Sequence, residues 1–337
     1  MNSVAEEGES KRSQTINNEA CKMIHSCLSF DGKWYLNARA QWFEPFRYQE
    51  RVPGKLVRTE LTWALSALYG LPSAQTHALC AAIEEMNLSS LIHDDLLDGD
   101  ALRRGIPAVW KHYGAEVALV SGMFGYLDGL RILTELNDLN VVRAGIQSLE
   151  QLHVGQYLDA KVSAGNTLPT LEEYGRIAQA NTGCFFVFPL KACQCLKLLE
   201  PKTYSLLKRM MLLMGIYYRY TNDYCDINHI PHFEKKGFAM DLEGGPKSFL
   251  MILAGKALIK GSLTSEQKKQ IIRSYGDAGV FDAALRLMED TYGQLLRYLD
   301  AIKQRNSTVD IHALERFLLS IHFQPEPDDD YYKQVLR

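Results

Sequence analysis

Apolar residues recur at the three- and four-residue spacing of an α-helix along nearly the whole chain, which leaves little room for a sheet. Leu79, Ala82, Ile83 and Met86 make one stripe, Leu206, Met210, Leu213 and Tyr217 a second, and Leu285, Met288, Tyr292, Leu295 and Leu299 a third. Alternation with period two is scarce. Turn-forming clusters fall where helices must end: Gly70-Leu71-Pro72-Ser73, Gly105-Ile106-Pro107, Gly165-Asn166-Thr167-Leu168-Pro169, Ile230-Pro231 and Gly244-Gly245-Pro246. With 337 residues, 47% of them hydrophobic, the chain can bury one large core, and no fixed-period repeat divides it. These features predict an all-α fold, a large helical bundle with a central cavity, because bundle cores are where facing helices present metal and ligand groups. The expected organisation is a mobile polar tail over 1–17 and a single all-α domain over 18–337.

Charge and cysteine usage narrow the function classes. The balance of 37 basic against 40 acidic residues gives a net charge of −3, which argues against nucleic-acid binding through a broad cationic surface. Small molecules are the expected partners. Seven cysteines lie scattered without a CxxC pair, which fits reduced thiols rather than a disulfide framework or a zinc site. The N-terminus has no apolar signal-peptide core, and the runs Met210 to Tyr218 and Cys184 to Phe188 fall short of the roughly 20 residues of a spanning helix. No transmembrane segment is expected, and the location is read as cytoplasmic or peripheral to an internal membrane.

The chemistry centres on two acidic clusters. Read as helix, Ile92-His93-Asp94-Asp95-Leu96-Leu97-Asp98 puts Asp94, Asp95 and Asp98 close together on one face, where like charges repel. A hard cation such as Mg²⁺, bound together with phosphate, would offset that repulsion, and Arg103 and Arg104 follow as phosphate-gripping forks. The bland alternative is a solvated acidic helix end. A second cluster, Asn222-Asp223-Tyr224-Cys225-Asp226, follows the second apolar stripe and again sets oxygen ligands at i, i+1 and i+4. Two such helices face to face would cage Mg²⁺ ions bridging a diphosphate.

From about Glu44 to about Leu250 the chain resembles the trans-isoprenyl diphosphate synthases, particularly fungal geranylgeranyl diphosphate synthases. Pro53-Gly54-Lys55-Leu56-Val57-Arg58, after Glu44-Pro45-Phe46, is similar to the family's Gly-Lys-x-x-Arg phosphate site. Asp94-Asp95-x-x-Asp98 with Arg103-Arg104-Gly105 resembles its first aspartate-rich motif, and Asp223-x-x-Asp226 lies in its second. Gly155-Gln156-x-x-Asp159, Thr182-Gly183, and Lys236-Gly237-Phe238 with Asp241-Leu242 resemble further elements. The resemblance implies an isoprenoid-synthase fold, a homodimer, and three Mg²⁺ ions held with the donor diphosphate by Asp94, Asp95, Asp98, Asn222, Asp223 and Asp226. It assigns Arg103, Lys236, Asn181 and Thr182 to the donor diphosphate, and Lys55, Arg58, Asn87 and Arg104 to the acceptor phosphate. The chain-length floor maps to Ser89 and Ser90, small enough to admit a C20 donor. Close helix packing over small residues is the alternative reading of that pair.

Four departures bear on the acceptor. The family's lysine before Thr-Gly is Asn181 here, the first aspartate of the second motif is Asn222, the later lysine is Pro246 with Lys247 displaced by one, and the histidine before the first motif is Asn87. The pairing of Asp-Asp-x-x-Asp with Asn-Asp-x-x-Asp resembles the fungal 3-geranylgeranylindole synthases. That resemblance implies transfer from geranylgeranyl diphosphate to C3 of indole-3-glycerol phosphate or another indole. The rivals are a geranylgeranyl diphosphate synthase using isopentenyl diphosphate, a class I terpene cyclase, and a silent partner subunit. A typical cyclase has an Asn, Ser, Glu triad at i, i+4 and i+8; those positions hold Asn222, Asp226 and Ile230 here, so the triad is broken. Trp34, Tyr35, Trp42, Phe43, Phe185, Phe186, Tyr217 and Tyr218 are available as aromatic walls, and Pro325 to Asp330 reads as a solvated acidic tail, with a lid as the lesser alternative.

Overall fold

The computed structural model describes residues 32–243, 247–256, 258, 261–305 and 310–337. The expected tail over 1–17, the boundary at 18 and the Gly244-Gly245-Pro246 turn lie outside them. Helices α1 (Lys33–Glu50), α2 (Val57–Tyr69) and α3 (Ser73–Asp98) come first, followed by a two-stranded hairpin, β1 (Leu102–Arg103) and β2 (Ile106–Pro107). After it run α4 (Val109–Tyr113), α5 (Ala115–Thr134), α6 (Leu139–Ser163), α7 (Leu171–Asn181), α8 (Cys184–Leu196) and α9 (Pro201–Asn228). The remainder is α10 (Ile230–Lys236), a 3₁₀ turn (Met240–Glu243), α11 (Phe249–Leu253), α12 (Ser265–Asp277), α13 (Val280–Arg305) and α14 (His312–Ile321). This is the all-α bundle that the periodicity predicts.

Local chemistry sets the helix ends. Gly70 and Gly99 close α2 and α3 at φ 62° and 77°, a left-handed turn that glycine adopts without strain. Thr170 and Glu173 form a reciprocal capping box at the start of α7, as Thr264 and Gln267 do for α12. The apolar stripes then do the packing. Met210, Met211, Met214 and Tyr217 bury α9 among α7, α8 and α13, and Met288, Tyr292 and Leu295 of α13 meet it from the other side. Each such side chain contributes about 2 kcal/mol on burial. Leu79, Ala82, Ile83 and Met86 fix α3 in the same core. The last turns of α3 and α9, which carry the acidic clusters, therefore open onto one cavity.

Three features depart from, or add to, what the sequence suggests. Helix α5 is long and apolar enough, by length and composition alone, to cross a membrane. Its inner face is nonetheless packed in the bundle: a β-carbon at Gly125 would fall 2.3 Å from the Glu85 carbonyl oxygen of α3, so only glycine allows that approach. Its outer face leaves Val117, Val120, Met123 and Leu127 exposed.

The acidic C-terminal segment is not a solvated tail. Asp330 is 4% exposed, its Oδ1 accepts hydrogen bonds from Asn228 Nδ2 and the Lys333 amide, and the Tyr332 amide donates to Asn228 Oδ1. Asp329 pairs with His229, and Tyr331 packs between Phe233 and Phe238. The polar ends of this strap are satisfied by the end of α9, a partner that no local pattern reveals. Finally, the five described cysteines are unpaired thiols, in keeping with the scattered spacing.

Candidate active site

The cavity holds about 610 Å³ and is lined by residues from α2, α3, the hairpin, α6, α7, α9 and α10. One wall is acidic. Asp94 lines it with Oδ1 accepting from Gln156 Nε2 at 3.0 Å, and Asn222 and Asp223 line it from the opposite helix. Asp95 and Asp226 are buried behind this wall, and Asp98 is half-buried near Asp94 and Asp159. Burial first, and then mutual repulsion, pushes the Asp98, Asp100 and Asp226 carboxyls above the usual carboxylate range. Asp95 is raised to about 6 by its burial, against the pull of Arg103.

Three cations stitch the carboxylates together. Arg103 donates through Nε to Asp95 at 2.7 Å, bonds Asp95 again through Nη2, and reaches Asp94 and Asp100. Lys236 sits 3.0 Å from Asp241, 3.2 Å from Asp100 and 3.8 Å from Asp226. Arg219 spans Asp223 at 3.0 Å and Asp159 at 3.1 Å. Tyr174 and the Phe249 amide donate to the other oxygen of Asp223. Motif spacing points to Arg103 and Lys236 and includes Asp241, but passes over Arg219 and Asp100. The available signal for Arg219 is a cation inside the otherwise uncharged run from Met210 to Asn222, four residues before an aspartate.

The opposite wall is basic. Lys55, Arg58 and Arg104 line it, and among the described residues none of the three has a carboxylate within 4.0 Å. The hairpin explains how adjacent arginines serve opposite walls. Its turn residues Arg104 and Gly105 both have positive φ, 56° and 83°, the geometry of a tight two-residue turn. Arg103 is thereby aimed at the carboxylates, while Arg104 donates to the Val52 carbonyl at 2.6 Å beside the Lys55 loop. The Gly105 amide donates to the Lys235 carbonyl and ties the turn to α10. Arg58 lies over the rings of Phe186 and Tyr218, with Nε buried and unpartnered. Asn87 is 5% exposed and its Oδ1 has no partner among the described residues.

The remaining candidates are dispersed. Ser90 lines the cavity, whereas Ser89 is fully buried against Gly125 of α5 and faces helix packing. Asn181 and Thr182 line the acidic side, where Asn181 Nδ2 donates to Asp159 at 2.9 Å. Gly155 makes this contact possible, because a β-carbon there would fall 2.4 Å from the Asn181 amide nitrogen. Of the aromatic candidates, Phe185 and Tyr218 line the cavity, joined by Phe323 of the C-terminal strap. Trp42 and Phe43 pack on Phe124 instead, and Trp34 and Tyr35 are exposed. Pro246 lies outside the described residues. Its neighbour Lys247 turns its ammonium to the Leu258 carbonyl at 2.6 Å and contributes no charge to the cavity.

The donor set fits Mg²⁺ arriving with a diphosphate. Among the described residues Asp95 Oδ2 is buried with no hydrogen-bond partner, while Asp100 Oδ2 and Asp226 Oδ1 lie 3.2 and 3.8 Å from the Lys236 ammonium, so the carboxylates outnumber the cations that meet them. Among the described residues no three acidic, histidine or cysteine side chains form a ready metal cage. Mg²⁺ characteristically takes one or two carboxylates and completes its shell with substrate phosphates and water, so paired carboxylates without a cage are what it requires.

Comparison with known proteins agrees with this geometry. The sequence pattern described as polyprenyl synthetase matches residues 40–288. The chain is 27% identical over 290 residues to a preasperterpenoid A synthase of Talaromyces verruculosus, covering 82% of this chain but only 36% of that relative. It is 27% identical over 304 residues to a geranylgeranyl pyrophosphate synthase of Clitopilus passeckerianus, covering 83% and 84% of the two chains. A Caulobacter crescentus polyprenyl synthase, solved with calcium and isoprenyl diphosphate, superposes with a TM-score of 0.72 at 20% identity, over 82% of this chain and 85% of that one. The chain therefore belongs to the polyprenyl synthetase family.

Proposed function

We propose that the chain ionises an allylic prenyl diphosphate at the carboxylate wall and passes the prenyl cation to an acceptor that itself carries phosphate. The observation that carries this reading is the second anion site: Lys55, Arg58 and Arg104 converge on the cavity, and among the described residues none has a carboxylate within 4.0 Å. A cyclase has no second substrate to hold there, and a silent subunit has no need of eight carboxylates and three cations on the facing wall. Mg²⁺ held by Asp94, Asp95, Asp98, Asn222, Asp223 and Asp226 would supply charge neutralisation for the leaving diphosphate. Arg103 and Lys236 add fixed positive charge where negative charge grows as the C–O bond breaks. Phe185 and Tyr218 offer π faces to the cation and exclude water from it.

Isopentenyl diphosphate is the acceptor best supported, with geranylgeranyl diphosphate as product, since a relative of matching length carries that activity in its name. A second reading takes geranylgeranyl diphosphate as donor and indole-3-glycerol phosphate, or another indole, as acceptor. It is favoured by Asn87, whose buried, unpartnered Oδ1 can accept an indole N–H where a histidine cation would address phosphate. The exposed apolar residues Val117, Val120 and Leu127 of α5 and Ile146 and Val154 of α6 support a homodimer through that face.

Product analysis separates the readings. The purified chain is incubated with Mg²⁺ and farnesyl or geranylgeranyl diphosphate, alone and with isopentenyl diphosphate or indole-3-glycerol phosphate. Geranylgeranyl diphosphate made from farnesyl and isopentenyl diphosphates supports the first reading, and a prenylated indole the second. A hydrocarbon formed without acceptor removes both.

A further inference from the structure

The acidic wall has a cation that the motif pattern does not assign, and we propose that Arg219 is a donor-diphosphate-binding residue, supplying beside Asn181 a positive charge that the neutral amide does not. Asn181 and Arg219 meet at one atom: Asp159 Oδ2 accepts from Asn181 Nδ2 at 2.9 Å and from Arg219 Nη2 at 3.1 Å. A charge absent from α7 is thus supplied from α9, on the other side of the same carboxylate oxygen.

The guanidinium is more than a tie between two helices. Its Nε and Nη2 are used by Asp223 and Asp159, while Nη1 has no hydrogen-bond partner among the described residues and is not among the buried unpartnered atoms. Arg219 also lines the cavity alongside Asp94, Gln156 and Asn222. An ion pair serving packing alone would turn its donors inward, because a buried charge costs several kcal/mol unless it is fully matched. Here one edge of the fork is anchored and the other faces the space between the two acidic motifs. The anchor is itself braced, since Tyr174 donates to Asp223 at 2.8 Å and stacks on Tyr220. Arg219 therefore presents N–H donors in a fixed direction, and planar forks of this kind match phosphate oxygens.

The inference rests on a diphosphate binding at this wall and is independent of which acceptor follows. Inorganic diphosphate with Mg²⁺ is titrated calorimetrically into the full chain, Arg219→Gln, Arg219→Lys and the double variant Asn181→Lys/Arg219→Gln, with melting temperatures measured in parallel. Arg219→Gln is expected to bind diphosphate about tenfold or more weakly, Arg219→Lys to retain most of the affinity, and the double variant to regain it to within about threefold of wild type. In turnover, donor KM rises while acceptor KM holds. If Arg219→Gln binds diphosphate within about twofold of wild type, or if a folded double variant binds as weakly as the single one, Arg219 has no such role. If Arg219→Gln does not fold, Arg219→Lys and the double variant decide the question. Wild type that takes up no diphosphate at all overturns the functional reading as well.

Discussion

On the acidic wall every cation is already engaged: Arg103 by three carboxylates, Lys236 by three, Arg219 by two. On the basic wall, Lys55, Arg58 and Arg104 look across the cavity with no carboxylate in reach among the described residues. The first arrangement repels a bare anion and accepts one only when divalent metal enters with it, satisfying carboxylates and phosphate together. The second is a ready receptor for a phosphate group without metal. Burial, and then the neighbouring charges of Arg103 and Arg58, weaken the hold of Arg104 on its proton against the pull of Glu84.

Removing a carboxylate should hurt most. Asp94 faces the cavity from between Arg103 and Gln156, so Asp94→Ala is expected to lower kcat by about a thousandfold with acceptor KM little changed. Chelating Mg²⁺ should reproduce that signature, and measurable turnover in chelator would break the contrast. Arg58→Ala should instead raise acceptor KM by roughly 10- to 100-fold with kcat nearly intact. Equal losses in donor and acceptor KM for Arg58→Ala would mean that the walls do not divide the substrates.

A smaller effect separates two neighbours. Ser90→Phe places a ring in the cavity and should shorten the longest prenyl chain made or accepted by about one isoprene unit, leaving stability near wild type. Ser89→Phe should do the reverse, forcing α3 off Gly125 and costing about 1–3 kcal/mol on denaturant titration with chain length unchanged. Matching product shifts in both variants would return Ser89 to the cavity.

The acidic wall was legible in the sequence because its geometry is local. Asp94 and Asp98 share a face through helical spacing alone, and the apolar stripe of α3 dictates which end of the bundle they reach. What stayed hidden depends on distant partners. Asp100 joins the wall only because the fold brings α10 beside it, 3.2 Å from Lys236. Asp330 reads as solvated charge, yet it is held by Asn228, 102 residues away. Lys247 sits one position from a family lysine and points elsewhere. Ser89 and Ser90 are alike in type and adjacent, so only their rotation about α3 tells packing from lining, and the partner that sets that rotation is on α5.

The smallest effect tests the electrostatics of the acidic wall in the absence of metal. Burial raises the Asp95 carboxyl from its ordinary 3.8 to about 6 despite Arg103, so the folded state binds this proton more tightly than the unfolded chain. The stability contributed by the raised group is fully present below about pH 4 and is lost as pH climbs through about 6. Burial pushes His229 and His232 the other way, so the bare pH profile mixes opposite signs. Subtracting wild type from Asp95→Asn cancels them. In metal-free buffer the melting temperature of the variant should gain on wild type as pH rises from 4 to 7, by on the order of 5 °C. Mg²⁺ with diphosphate should then favour wild type at pH 7, because ligation draws on the ionised carboxylate. A difference that stays flat across this range would mean that Arg103 outweighs burial at Asp95, leaving the acidic wall charge-matched before any metal arrives.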